Sequence, residues 1–404
     1  MDSLDPTGCQ VHLWHSFTRE KEATLRQMAR AFESDNPQRI SLRVEFHSPL
    51  HSEVLAAIAA GSPPDIVIVP CEQLAEYALL GAVVAPAEYV RHSLYGLKRE
   101  EQADLWPSVL EGACLFGKSG QPLGIRFDSQ IIAMFYNVDW LKRLKVDAPP
   151  RTWDDFQRIC GEARDKKTGK WGYAYAPDGE ILWNWISGLG GALLTPGAER
   201  PWLNSTAAIA AASTLRDLLR DSGAYYASDA STAQADFAAE KALFNFGSTY
   251  ALPAYREAIT GTKRKFNWDV APMPSLIESP VVTAQGSSIG ILRSSPRQQL
   301  AAWLFIRWLI APAQDVQWAL ATHALPLHKS SQATPEMQAY IQQNPQYGSA
   351  CQLLSYVRSE PAVQGWTTIH TLLADASRSI CLEDVDPAEV LTAADTAAQR
   401  LLSR

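Results

Sequence analysis

The sequence predicts an α/β protein of two lobes, and three observations carry that expectation. A chain of 404 residues exceeds the roughly 250–300 at which a single hydrophobic core stops growing, so two domains are expected. Residues 11–84 read as strands alternating with helices. From Ile131 onward a second set of strand and helix signals repeats that arrangement without a readable sequence repeat. Two such lobes, joined by several crossings of the chain, would enclose a cleft.

The first set begins with the short strand VHLW. In EATLRQMARAF, Leu25, Met28, Ala29 and Phe32 take the i, i+3, i+4, i+7 spacing of one helical face. ISLRVEF alternates Ile40, Leu42, Val44 and Phe46 with Ser41, Arg43 and Glu45, the period of a strand with one better-buried face. SEVLAAIAA is a second helix, stopped by Gly61 and Pro63. DIVIV is a continuous branched run, the form of a parallel strand covered on both faces. Doubly wound sheets bind ligands beyond the carboxyl ends of their strands, here His15, Ser16 and Phe17, then His47 and Ser48, then Cys71 and Glu72.

In the second set, IIAMFYN reads as a strand and TWDDFQRICGEA as a helix capped by Thr152, with Asp155 three residues on. The strand WGYAYA leads into PDGEILWNWISGLGG, which places Asp178, Trp183 and Trp185 near a strand end and a helix start. KALFNF and NWDVAPM are further strands, the former running into a helix that opens at Ser248 or Thr249. GSSIGIL is a Gly/Ser-rich strand, QQLAAWLFIRWLI a long helix, and ALPLHK the entry to an all-helical C-terminal third.

Composition narrows the function. Hydrophobic residues at 47% and charged residues at 20% are ordinary for a globular chain, and no run approaches the ~20 apolar residues that cross a bilayer. Thirty-six basic against 43 acidic residues leave a net charge of -7 without a long basic run, so no nucleic-acid partner is expected. The expected partner is a small molecule. MDSLDPTGCQ lacks the basic and apolar regions of an export signal, and Gly8-Cys9 matches a lipoprotein cleavage site without its hydrophobic stretch. The six cysteines form no C-x-x-C pair and read mainly as small buried hydrophobes. His47 and His51, with Glu53 beyond, have the spacing of helical metal ligands, but Pro49 opposes a helix there, so no metal is expected. No G-x-S-x-G, Walker A or G-x-G-x-x-G occurs, and no cofactor is expected.

Several segments, in order, resemble those of a known family. They are AAIAAGSPPDIVIV with LAEYALLGAVVAP, the connector YNVDWLKRLKVDAPPRTWDDF, DFAAEKALFNFGSTYALPAY, FNWDVAPMP, GSSIGIL and LIAPAQDVQWALATHALPLHKS. The family is the extracytoplasmic solute-binding proteins of bacterial ABC importers, in the cluster that includes maltose- and glycerol-3-phosphate-binding proteins. The resemblance runs from about residue 11 to the C-terminus. It implies a type II periplasmic-binding-protein fold: an α/β protein whose lobes are each a mainly parallel sheet flanked by helices, with the ligand cleft between them. The expected lobes are residues 9–126 with 283–327, and 127–282 with 328–404; the connector is scaffold in the second.

The implied function is capture of a saccharide or polyol by hinge closure and its delivery to permease subunits in the membrane. The alternatives are a glycerol-3-phosphate- or glycerophosphodiester-binding protein and, from a different class, a two-lobed α/β enzyme. A monomer is expected, in the periplasm or another extracytoplasmic place, either lipid-anchored or free.

The resemblance also implies a ligand set. Glu72 takes the place of a carboxylate that binds ligand hydroxyls, and charge-assisted hydrogen bonds are roughly twice as strong as neutral ones. Trp14, His15 and Ser16 are similar to a tryptophan-histidine-serine at the first strand end, with Ser16 the contact and Trp14 either contact or core. Asp128 and Ser129 lie in GIRFDSQ, which resembles the segment before a crossing; Arg126 there reads as an anion clamp or, better supported, an exposed strand arginine. Trp183 and Trp185 line either cleft or core, and Asp178 stands at the strand end before them. Tyr250 stands where an aromatic packs on a pyranose face, and Ser248 and Thr249 open a helix whose free N–H groups could hold a phosphate. Gly286 and Ser287 resemble a second crossing, where glycine lets the backbone approach the ligand. Trp366 matches a C-terminal cleft aromatic. Where relatives carry glycine-tyrosine before leucine-proline, this chain has His323-Ala324, which leaves the ligand open.

Overall fold

A computed structural model describes residues 3–110, 115–116, 120–195, 200–221, 223–262, 265–276, 280–358, 361–363, 365–383 and 385–402. Its contacts divide the chain into one unit of Met1–Gln130, Ala284–Tyr340 and Ser359–Gln364, and another of Ile131–Thr283, Ile341–Arg358 and Gly365–Arg404. Relative to the expected boundaries, residues 127–130, 328–340 and 359–364 fall in the first unit and residue 283 in the second. Hydrogen bonds explain the first two of these: the Leu325 amide donates to the Ser129 carbonyl at 2.7 Å, and the buried Asp315 carboxylate accepts from the Leu327 and His328 amides and the Ser331 hydroxyl at 2.8, 3.0 and 2.6 Å.

The first unit opens with β1 (Gln10–His15), α1 (Arg19–Asp35), β2 (Ser41–Phe46), α2 (Leu50–Ala59), β3 (Ile66–Val69), α3 (Cys71–Leu79) and β4 (Val83–Val84). β1 lies parallel between β2 and β3. The strand Ser288–Leu292 inserts antiparallel between β3 and β4, and Ile125–Arg126 pairs antiparallel with it. The DIVIV run is covered on both faces as expected. Ile66 and Ile68 pack with Val11, Leu13, Met28 and Phe32, while Val67 and Val69 pack with Leu50, Val54 and Leu74. Cys9 is buried with the first of these groups, so its thiol is a core group.

In the sheet of the second unit, Trp171–Tyr175 is parallel to Ala224–Tyr226 and to Ala242–Ser248. Gln130–Asn137 joins it antiparallel to both Ala242–Ser248 and Trp268–Ala271. The connector folds as read. Asn137 caps the helix Val138–Arg143, and Thr152 Oγ1 accepts the Asp155 amide at 3.1 Å to start Trp153–Ala163. Ser248 likewise accepts from Tyr250, opening a short 3-10 turn before the helix Leu252–Gly261.

The C-terminal third is not wholly helical. Val357–Arg358 pairs with Val282–Thr283, and Pro361–Ala362 with Leu115–Phe116. Strands of two residues show no periodicity, so nothing in the sequence marks them. Among the described residues, no helix is long and apolar enough to cross a membrane.

Candidate ligand-binding edges of the two sheets

Strand direction decides which candidate residues meet. In the first unit, the parallel pairing of β1, β2 and β3 sends their carboxyl ends to one edge. Ser288 pairs with Val69 at the end of β3 and with Arg126, so the chain entering at Gly286–Ser287 and the chain leaving through Asp128–Ser129 reach that same edge. Trp14, His15, Ser16, Glu72, Asp128, Ser129, Gly286 and Ser287, distant in sequence, are thus brought to one edge.

Their roles diverge there. Ser16 is exposed, just past β1. Glu72 is half-buried in the first turn of α3. Trp14 is pinned on two sides: its indole N–H donates to Glu45 at 3.2 Å, and its ring stacks on His47 with centroids 3.9 Å apart. His47 is itself held by Glu53. Neither His47 nor His51, which contacts Glu76, belongs to a metal-binding cluster; none exists among the described residues.

His15 is a staple rather than a contact. It is fully buried, and its Nδ1 accepts the Phe17 amide at 3.1 Å, which shapes the turn that displays Ser16. Burial pushes its imidazole down to about 4, so it is neutral at neutral pH.

Asp128 is also committed. It is 4% exposed, with Lys21 Nζ at 2.5 Å and the Trp318 indole N–H at 3.4 Å, which ties α1 to the strand edge. Ser129 is equally buried, in an antiparallel bridge with Leu325. The close approach that requires glycine at 286 is made by the protein itself: φ is +116°, and a Cβ would lie 1.6 Å from the Asp128 carbonyl oxygen. The Ser287 carbonyl accepts both the Phe127 and Asp128 amides at 3.1 Å. Arg126, expected to be exposed, is 2% exposed and donates to the Ser108 and Gln285 carbonyls at 3.4 and 3.5 Å. A strand of two residues at a sheet edge shows no pattern that separates a buried arginine from a solvated one.

In the second unit, Tyr175, Tyr226 and Ser248 end parallel strands at a common edge. Asp178 follows the first and caps the helix Gly179–Gly188, accepting the Glu180 and Ile181 amides at 2.7 and 3.3 Å. Tyr250 follows Ser248 and is exposed at 52%. Thr249 is buried and accepts the Ile131 amide at 3.1 Å.

The two helix tryptophans separate from Tyr250. Trp185 is a core residue, fully buried, its ring 4.0 Å from Trp153 and among Phe156, Tyr173 and Phe246. Trp183 is buried beside Trp366, edge to face with centroids 6.5 Å apart, one on each of the packed helices Gly179–Gly188 and Trp366–Leu382. That pair is tight, since a Cβ on Gly179 would lie 2.1 Å from the His370 carbonyl oxygen.

Three polar residues on this first helix escaped the sequence reading. Glu180, Asn184 and Ser187 form an i, i+4, i+7 stripe, a visible signal in an otherwise apolar helix. Glu180 pairs with His370 at 2.8 Å, and Asn184 donates to the Thr283 hydroxyl at 2.7 Å. Among the described residues, Glu180 Oε2, Asn184 Oδ1 and Ser187 Oγ are buried without hydrogen-bond partners. Buried acceptors left unpaired are costly, so a hydroxyl donor meeting them would gain.

Comparison with known proteins bears on the family and the fold. A family model described as bacterial extracellular solute-binding protein matches residues 27–369. A maltotriose-binding protein of Pyrococcus abyssi is 20% identical over 335 residues, 81% of this chain and 68% of that protein. The sugar-binding protein MalE of Xanthomonas citri superposes with a TM-score of 0.83 at 19% identity, covering 98% of this chain and 97% of that one. The cyclic alpha-maltosyl-1,6-maltose binding protein of Arthrobacter globiformis gives 0.81 at 18% identity, covering 97% and 98%. UgpB of Mycobacterium tuberculosis, in complex with glycerophosphocholine, gives 0.73 at 18%, covering 98% of each chain. At such identities the structural likeness speaks for the fold.

Proposed function

Because this chain belongs to the bacterial extracellular solute-binding proteins, we propose that it is the substrate-binding component of an ABC importer and that its ligand is a saccharide or polyol. The observation that carries the ligand class is the commitment of the cations at the first sheet edge. Lys21 is paired with Asp128, and Arg126 is turned onto backbone carbonyls, so this edge suits recognition of hydroxyls, with Glu72 as the proposed acceptor, better than recognition of an anion. A carboxylate accepting two hydroxyls suits a polyol and repels a phosphate. The relatives that bind maltotriose and a cyclic maltosyl-maltose support the same class.

Glu72, Ser16 and Ser287 are the contacts of this reading on the first unit, and Tyr250, with Glu180 and Asn184 as further acceptors, those on the second. The protein releases its ligand unchanged and acts as a monomer that delivers it to a membrane permease. An extracytoplasmic place also suits Cys71, which is disulfide-bonded, since such bonds persist in oxidising compartments. Capture by rotation of the two units about the segments that join them predicts a smaller radius of gyration with ligand than without, measurable by small-angle scattering.

Calorimetry against mono- to trisaccharides, polyols and glycerophosphodiesters tests the proposal. Binding of a saccharide or polyol, recovered intact, is the expected result; binding of phosphate-bearing ligands alone would overturn it. Glu72→Ala should weaken that binding by about 2 kcal/mol or more and leave the melting temperature of the unliganded protein nearly unchanged, because ligand hydroxyls lose their acceptor. Unaltered affinity would remove Glu72 from the site.

A further inference from the structure

A cavity of about 280 Å³ lies within the first unit. None of its described lining residues belongs to the candidate ligand set, so whatever it holds is independent of the proposed saccharide. Its walls are mostly apolar, with Val90, Leu105, Leu110, Ile125 and the ring of Trp106. The volume is just below the ~300–1,000 Å³ of sites for drug-sized ligands, which points to a smaller molecule with a compact apolar body.

The polar groups on the wall set the charge of that molecule. Arg91 and Lys329 both line the cavity, and its thirteen described lining residues include no aspartate or glutamate. In a chain of net charge -7, that is a local reversal of sign. Lys329 donates to the Ala103 carbonyl at 2.7 Å and stands 5.8 Å from the Trp106 ring centroid, so its charge is held at the wall. Arg91 is exposed at the end of the turn Ala87–Val90 and makes no ion pair among the described residues. A guanidinium presents paired N–H donors matched to a carboxylate.

We propose that this cavity is a second ligand site, for a small monocarboxylate with an aromatic or branched apolar body, whose carboxylate pairs with Arg91 beside the charge of Lys329. Benzoate is a suitable probe, with benzamide as its neutral isostere. The protein labelled with 5-fluorotryptophan gives a fluorine resonance for Trp106, identified by its loss in Trp106→Phe.

Titration with benzoate should shift that resonance saturably, and benzamide should bind at least tenfold more weakly. Arg91→Ala should weaken benzoate at least fivefold while its melting temperature and its saccharide binding stay as in the parent, Arg91 being exposed. Raising the salt concentration should weaken benzoate and leave benzamide alone. Absence of a saturable shift at tens of millimolar benzoate, equal binding of benzamide, or unchanged binding to Arg91→Ala would each overturn the proposal.

Discussion

His15 shows how one buried side chain links a turn to the behaviour of the protein with pH. Its imidazole titrates near 4 when folded against about 6.5 when unfolded, because burial disfavours the charged form. The unfolded chain therefore binds a proton that the folded chain refuses. Its contribution is fully present above about pH 6.5 and is lost as pH falls towards 4. Urea unfolding of the protein should show a loss on the order of 3 kcal/mol across that window, and His15→Gln should remove most of that slope. An unchanged slope in the variant would show that other groups carry the acid sensitivity. Gly286 is the second test at this scale. Gly286→Ala combines a positive φ with overlap on the Asp128 carbonyl and should cost about 3 kcal/mol or more in thermal unfolding, or prevent soluble expression. The resemblance implied that glycine lets the backbone approach a ligand there; in the structure the close approach is to the Asp128 carbonyl, between two strands.

At the scale of elements, the connector and the helix after Tyr175 make a useful contrast. The helix Trp153–Ala163 was legible in its start and its cap, and the structure buries its Trp153, Phe156, Ile159, Cys160 and Ala163 face. Thr152→Ala should lower stability by about 1 kcal/mol, with Thr152→Ser restoring most of it and saccharide affinity unaffected. A larger loss would mean that the threonine packs as well as caps. The helix Gly179–Gly188 was legible as a helix but not in the facing of its side chains, because almost all of it is buried. When every face is covered, apolar periodicity loses its contrast, and a tryptophan bound for the core looks like one bound for a ligand. Its polar stripe was the better guide.

For the whole molecule, ligand binding and stability are one equilibrium. A saccharide that binds only the folded protein should raise the unfolding free energy by about 2.7 kcal/mol at a hundred times its dissociation constant. Calorimetric scans with and without ligand would show it as a higher melting temperature, and Glu72→Ala should shrink the gain at the same ligand concentration. A gain that persisted undiminished in that variant would place the ligand elsewhere. The partition of the chain matters at this scale too. The first unit is assembled from segments before Gln130, after Ala284 and around Ser359–Gln364, so neither unit is one continuous stretch.

What the sequence determined by itself rests on near neighbours: β2 as a strand, although Phe46 of its expected buried face is exposed, the continuous apolar run of β3, and the cap at Thr152. Those signals are local because strand and helix periods are local. The tertiary structure alone decided which polar groups remain available. Asp128 meets Lys21 across 107 residues and Trp318 across 190, and Ser288–Leu292 enters the sheet beside β3 and β4 from far along the chain. No spacing rule reaches that distance. Packing between elements fixes it, since each buried charge must find its partner wherever the sheet order brings one within hydrogen-bond range.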